Sequence, residues 1–182
     1  TLNDSGTLTL SGALSGTGGV SKVGSGTLVL SATNSYTGNT ILSAGTVRLD
    51  CPQTNSNAYI SNGATVDLNG RALTVALLSD YGGGGGIVTN GGGAAGLAIN
   101  QSGDTTFSGA ICGSGANAVG LVKSGAGALT LAGGSPNTYS GATTNIGASV
   151  MILGKTTNTV AIPGNLTLVG PSANVFAFSN NQ

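Results

Sequence analysis

The chain has 182 residues and a formal net charge of +0, with 5% charged residues, 34 glycines and no histidine or tryptophan. A typical soluble domain carries roughly 25% charged residues. The missing charge leaves no electrostatic basis for binding nucleic acid or an anionic membrane surface. No apolar run approaches the roughly 18 residues that a membrane-spanning helix needs, so we also expect no membrane insertion.

Short apolar stretches that alternate with threonine and serine recur along the whole chain. Alternation over four to eight residues is the period of a half-buried strand, and no helical period is present. Glycine, asparagine and serine separate these stretches, most densely at 31–39, 82–86 and 91–93. The predicted strands lie within residues 5–16, 26–30, 40–42, 46–49, 57–70, 72–78, 165–169 and 174–178. We expect 72–78, the most apolar run, to be one strand buried on both faces.

One stretch of sequence occurs twice. Residues 19–49 read GVSKVGSGTLVLSATNSYTGNTILSAGTVRL, and residues 120–153 read GLVKSGAGALTLAGGSPNTYSGATTNIGASVMIL. Lys22 then matches Lys123, and Tyr36 matches Tyr139 after a two-residue insertion. An upstream piece also recurs, so we define two repeat units at about 7–49 and 104–152. Internal repetition at this length is typical of repeat proteins.

Very short strands in a long repeat predict a coil whose turns stack at the strand spacing of ~4.8 Å. Inward aliphatic side chains of successive turns then form one continuous core, and neutral outward side chains avoid like-charge repulsion. At about 20 residues per turn we expect about nine turns in a single domain over residues 1–182, a rod of ~43 Å. An antiparallel β-sandwich and a disordered linker are the alternatives.

The ordered series K-x-G-x-G-T-L-x-L, N-x-Y-x-G-x-T and G-x-V-x-L in residues 22–49 resembles the autotransporter-associated β-strand repeat. That resemblance implies an all-β, right-handed parallel β-helix (solenoid) in the surface-displayed or secreted part of large bacterial proteins. It also implies roles in adhesion, aggregation and biofilm formation, often as a stalk. The repeat of that family carries no catalytic motif, so no functional residue is carried over.

Asp50 and Asp67 are the only pair of acidic residues that we weigh as a catalytic pair, because they are 17 positions apart and could meet on adjacent turns. Glycoside hydrolysis needs two carboxylates about 5 to 9.5 Å apart. Arg48 and Arg71 lie near them in sequence. We favour the simpler interpretation, in which these residues are solvated turn positions or a surface ion pair.

Other motifs are weaker. Serine nucleophiles have no histidine base, and a serine–lysine pair would have to use Lys22, Lys123 or Lys155. Leu153-Gly154-Lys155-Thr156 lacks the first glycine of a phosphate loop, because that position is Ser149. Asp67-Leu68-Asn69-Gly70 falls short of a calcium loop.

Two further pairs of residues remain, one of tyrosines and one of cysteines. Tyr36 and Tyr139 hold equivalent repeat positions, which favours turn anchors over sugar-binding aromatics. Cys51 and Cys112 have no metal-ligand spacing; free thiols, an intrachain disulfide and a bond to another subunit all remain open.

We therefore predict a non-catalytic structural solenoid at the bacterial surface or outside the cell, with no catalytic, cofactor-binding or metal-binding residues. Its expected partners are other copies of itself, neighbouring solenoid segments, and host or matrix surfaces. One alternative is a self-assembling filament subunit that stacks end to end. The other alternative is a polysaccharide-degrading β-helix enzyme.

Overall fold

The computed structural model describes residues 1–55, 57–61 and 63–170 and the backbone of 176–178. Twenty short strands and one 3-10 turn (Gly115–Asn117) form the described chain. The first ten strands are β1 Thr7–Leu10, β2 Val20–Lys22, β3 Thr27–Leu30, β4 Asn39–Leu42, β5 Gly45–Leu49, β6 Gln53–Asn55, β7 Asn57–Ser61, β8 Ala64–Asp67, β9 Leu73–Val75 and β10 Leu78–Tyr81. The others are β11 Ile87–Thr89, β12 Ala95–Asn100, β13 Thr105–Phe107, β14 Ala110–Ile111, β15 Val119–Ser124, β16 Ala128–Gly133, β17 Thr143–Ile146, β18 Val150–Lys155, β19 Leu166–Val169 and β20 Phe176–Phe178.

These strands build a parallel β-solenoid with three faces. Face 1 contains β2, β4, β7 and β10, and continues through β13, β16, β18 and β20. Face 2 contains β1, β3, β5, β8, β11 and β14, and face 3 contains β6, β9, β12, β15, β17 and β19. Every strand pair is parallel. The prediction of an all-β parallel solenoid is confirmed, and the right-handed winding stays a prediction.

The core is a set of columns that run along the solenoid axis. On face 2 one column contains Leu8, Leu28, Val47, Val66, Val88 and Ile111, each opposite the next in register. All members from Leu28 onward are buried, and Leu8 packs against them at the first turn. Ile60 and Leu68 are also buried. Each turn therefore shares its hydrophobic core with its neighbours, as the alternation predicts.

The solenoid makes about seven turns, not nine. The prediction is wrong because the turns lengthen along the chain. Leu28 lies opposite Val47, 19 positions away, whereas Leu97 lies opposite Leu121, 24 positions away. Glycine-rich corners such as 82–86 and 91–93 add residues without adding height. At the strand spacing, seven turns make a rod of about 34 Å.

Residues 72–78 are also not one strand. β9 ends at Val75 on face 3, the chain bends at Ala76 and Leu77, and β10 begins at Leu78 on face 1. Val75 and Leu78 are buried, whereas Ala76 at the corner is exposed. An apolar run that passes a corner of the solenoid contributes inward side chains to two different faces. In sequence, such a run has the same pattern as a single strand that is buried on both sides. The predicted strand at 174–178 is described only at Phe176–Phe178, and its first two residues lie outside the described residues.

The two repeat copies use different faces of the solenoid. In the first copy β2 and β4 lie on face 1 and β3 and β5 on face 2. In the second copy the equivalent β15 and β17 lie on face 3, and β16 and β18 on face 1. The loop between the two halves of each copy shifts in the same way. Equivalent positions are therefore rotated by one face, about a third of a revolution.

Among the described residues, no helix has the length and apolar character needed to cross a bilayer.

Candidate functional site

A buried asparagine in each repeat copy joins one turn of the solenoid to the next. The Asn34 side-chain oxygen accepts a hydrogen bond from the backbone N–H of Leu14 (2.7 Å), and the Asn137 oxygen accepts one from Ile111 (2.9 Å). On the other side, the Asn34 amide donates to Gln53 Oε1 (2.9 Å), and the Asn137 amide donates to the Ala161 carbonyl (2.7 Å). Each asparagine thus replaces ladder hydrogen bonds where the chain is a loop rather than a strand.

Tyr36 and Tyr139 are turn anchors, as the sequence predicts. Both rings are buried, and their hydroxyl groups bond to Thr40 Oγ1 (2.7 Å) and Thr143 Oγ1 (2.6 Å) respectively. Burial raises the pKa of both phenols, and the threonine hydrogen bonds partly oppose that rise. A ring enclosed in this way presents no face to a sugar.

The three lysines weighed as partners for a serine are buried and bind backbone carbonyls. Lys22 donates to Gly24 O and lies 3.3 Å from an Asp4 carboxylate oxygen. Lys123 Nζ donates to Ser124 O (2.7 Å) and Gly125 O (3.1 Å). These contacts close the glycine turn that follows the lysine in each repeat copy, which explains why the lysine recurs.

Lys155, which the sequence weighs as part of a phosphate loop, lies on β18 and points inward. Its Nζ donates to Gly109 O at 2.6 Å. Burial lowers the pKa of Lys155 to about 8, partly opposed by Asp80 and Cys112, and lowers that of Lys123 to about 8, partly opposed by Asp104. A buried ammonium bonded to the protein's own carbonyl group does not form a phosphate site.

Ser149 also has a structural environment. Its hydroxyl is buried and contacts the Lys123 backbone oxygen (3.3 Å) and Asn145 Oδ1. The Lys123 ammonium itself bonds to other carbonyls, so these two side chains do not form a nucleophile–base pair.

Asp50 and Asp67 do lie on adjacent turns, because Arg48 of β5 is opposite Asp67 of β8. Asp50 forms an ion pair with Arg48 (3.1 Å) and accepts a bond from the Asn69 amide (3.0 Å). Asp67 accepts bonds from the backbone N–H groups of Asn69 (3.0 Å) and Gly91 (2.7 Å). Both carboxylates stabilise corners, and the exposed Arg71 lies at the following corner. The simpler interpretation therefore fits the structure.

The two cysteines are free thiols that lie along the same face. Cys51 follows β5 and Cys112 follows β14, and β8 and β11 lie between those strands on face 2. Three strand steps correspond to ~14 Å, and a disulfide requires Cα atoms within about 7 Å. The solenoid thus excludes an intrachain disulfide. Over the described residues, no group of three or more histidine, cysteine or acidic side chains is placed to hold a metal ion.

A groove of about 610 Å³ opens on face 3, and sequence reasoning gave no sign of it. The loop 33–37 forms one wall, and the groove is also lined by residues of the following turns, which are Thr54, Thr74, Val75, Ala76 and Asn100. All of the described residues that line it are uncharged. Its members come from four turns of the coil, so only their stacking brings them together.

Comparison with known proteins adds two matches. Residues 20–49 and 121–159 each match the family model of the passenger-associated-transport-repeat. The adhesin BmaC autotransporter of Brucella suis biovar 1 (strain 1330) is 38% identical over 146 residues, which cover 76% of this chain. The match spans only 4% of the length of that adhesin. No solved structure matches the chain.

Proposed function

Because this chain carries the repeat of autotransporter passengers, we propose that it serves as a non-catalytic shaft or scaffold in a surface adhesin. The observation that carries the proposal is the unbroken aliphatic column from Leu8 to Ile111, which makes successive turns one continuous rod. The adhesin similarity supports a location at the cell surface or outside the cell.

The outer surface of face 2 also suits a shaft. Thr7, Thr27, Thr46 and Thr65 lie directly above one another on four consecutive turns. Neutral hydroxyl side chains at the strand spacing pack without the repulsion that stacked like charges would cause. Neighbouring solenoid segments are the expected partners at the ends of such a rod, and host or matrix surfaces are the expected partners of the adhesin as a whole.

A replacement experiment in a surface-displayed adhesin tests the shaft role. Exchange of this segment for an unrelated parallel solenoid of seven turns should preserve display and adhesion, whereas simple deletion should shorten the projection by about 34 Å. Loss of adhesion in the exchanged protein, with normal display, would contradict the proposal. Depolymerisation of neutral or acidic polysaccharides by the purified chain would instead favour the enzyme alternative.

A second candidate, end-to-end stacking into a filament, rests on the exposed apolar end of the solenoid. Leu166 shares a register column with the buried Leu97 and Leu121, yet it is 41% exposed. Leu168 and Val169 on the same strand are 50% and 44% exposed. An apolar strand at a coil end is a template for another turn, supplied by a further segment or by a second copy.

Electron microscopy of the purified chain tests this second candidate. We expect filaments whose length falls when Leu168 is replaced by aspartate, while the exchange Thr167→Asp on the outward side of the same strand serves as the control. Dispersed monomers at high concentration would contradict stacking and leave the shaft role unaffected.

A further inference from the structure

We propose that the groove on face 3 binds a neutral oligosaccharide. The groove lies where the irregular loop 33–37 gives way to the first strands of face 3, β6 and β9. It crosses four consecutive turns, so its length at the strand spacing is about 14 Å. The proposal goes beyond the shaft role, and the solenoid remains a shaft if the groove binds nothing.

The chemistry of the groove selects the class of ligand. Thr33, Ser35, Thr37 and Thr54 expose hydroxyl-bearing side chains, Thr74 is half-buried, and Asn100 adds an exposed amide. A hydroxyl group both donates and accepts, so a row of hydroxyls matches the mixed donors and acceptors of a sugar. Apolar atoms form most of the groove surface. Such atoms pack against the C–H faces of a sugar ring.

The absence of charge in the lining argues against other ligands. Among the described residues, no lysine, arginine or aspartate lines the groove, so a phosphate or a uronic acid would lose part of its hydration shell without gaining an ionic partner. A peptide that adds a strand needs backbone groups at a free sheet edge. Here the Gln53 side chain bridges the loop and β6, donating to Ala32 O (2.8 Å) and accepting from Asn34 N (3.2 Å).

The wall of the groove is held in place before any ligand binds. Asn34 and Tyr36 point inward from the loop and are bonded to Leu14, Gln53 and Thr40. Their neighbours at 33, 35 and 37 are exposed on the outer side of the same loop. A loop fixed from inside loses little conformational entropy on binding, which favours affinity for a weakly interacting ligand such as a neutral sugar.

The second repeat copy shows that the loop alone does not create this groove. Its equivalent loop, residues 134–142, lies beside face 2, and Val160 and Ala161 follow it on the next turn. In the second copy, the apolar residues Val160 and Ala161 therefore take the place that the polar residue Gln53 of β6 has beside Asn34 in the first copy. The proposed site therefore depends on the stacking of the first copy against β6 and β9.

Saturation-transfer NMR and calorimetry on the full chain test the proposal with neutral oligomers of glucose, xylose, mannose and N-acetylglucosamine. We expect millimolar or tighter binding of at least one of these series. The double exchange Thr54→Val and Thr74→Val, which keeps the shape and removes two hydroxyls, should weaken binding about tenfold or more. Thr144→Val is the matched control, because Thr144 lies in the same outward row of face 3, outside the groove.

Three outcomes would overturn the proposal. They are no binding of any neutral series at millimolar concentration, equal binding by the wild-type chain and the double variant, and preferential binding of charged oligomers such as oligogalacturonate. Circular dichroism of each variant confirms that the solenoid is intact. None of these outcomes bears on the shaft role, which depends on the core and not on this surface.

Discussion

Replacing Asn137 by alanine tests whether the buried asparagine of each repeat holds neighbouring turns together. Asn137 accepts from Ile111 N–H and donates to the Ala161 carbonyl, and all three residues are buried. Alanine removes both bonds at once and cannot replace either. One backbone donor and one backbone acceptor are then left without their partners inside the solenoid.

The expected loss follows from those two orphaned groups. A buried polar group without its partner costs about 1–3 kcal/mol, so the exchange should lower the free energy of unfolding by about 2–6 kcal/mol. For a chain of this length, each 1 kcal/mol shifts the melting temperature by roughly 2–4 °C. We therefore expect the melting temperature to fall by about 4–24 °C.

Thermal and urea unfolding followed by circular dichroism measure this loss. Thr138→Ala is the control, because Thr138 is the exposed neighbour and its backbone N–H still bonds to Ile111 O. The control should change the melting temperature by little. If Asn137→Ala is no more destabilising than Thr138→Ala, the asparagine does not join the turns and the interpretation of the repeat fails.

Other exchanges test the core and its charges. A Cβ at Gly127 would collide with the backbone of Gly103, so Gly127→Ala should cost more than about 2 kcal/mol, whereas Gly96, which has open space around it, should accept alanine with no loss. Tyr139→Phe leaves a buried threonine hydroxyl without its partner and should cost about 1–3 kcal/mol in urea unfolding. Lys123 and Lys155 have folded-state pKa values of about 8, below the usual 10.5, so the unfolded chain binds more protons between these values. Stability should therefore rise as pH increases from 8 to 10, and should fall above pH 10, where the raised pKa values of the two buried tyrosines reverse the sign. A Lys123→Met chain should show a flatter rise, and a fall in stability from pH 8 to 10 would contradict this assignment.

Sequence pattern predicted the core of the solenoid because alternation alone decides which side chains point inward. The column through Leu28, Val47 and Val66 follows directly from it. Pattern failed at the corners, because the run at 72–78 bends at Ala76 without a glycine or proline to mark the bend. The number of turns depends on the length of such corners, so it could not be read from the strands.

The buried polar side chains were only partly predictable. Lys22 and Lys123 recur at equivalent positions, and both donate to backbone carbonyls. Asn34 and Asn137 recur in the same way, so a signal for the hydrogen bonds between turns was present in the alignment of the two copies. The groove is different, since Thr54 and Asn100 are 46 positions apart and meet only through the stacking of turns.

The offset of one face between the two repeat copies has a consequence for longer passengers. A surface patch present in each copy would be rotated by about a third of a revolution about the solenoid axis from one copy to the next. It would return to its original orientation after three such steps. In a shaft built with this spacing, the surface patches of successive copies would follow a helical path around the axis. In the proposed shaft role, a surface that approaches from any side would meet the same set of patches, so contact would not depend on how the shaft is rotated about its own axis.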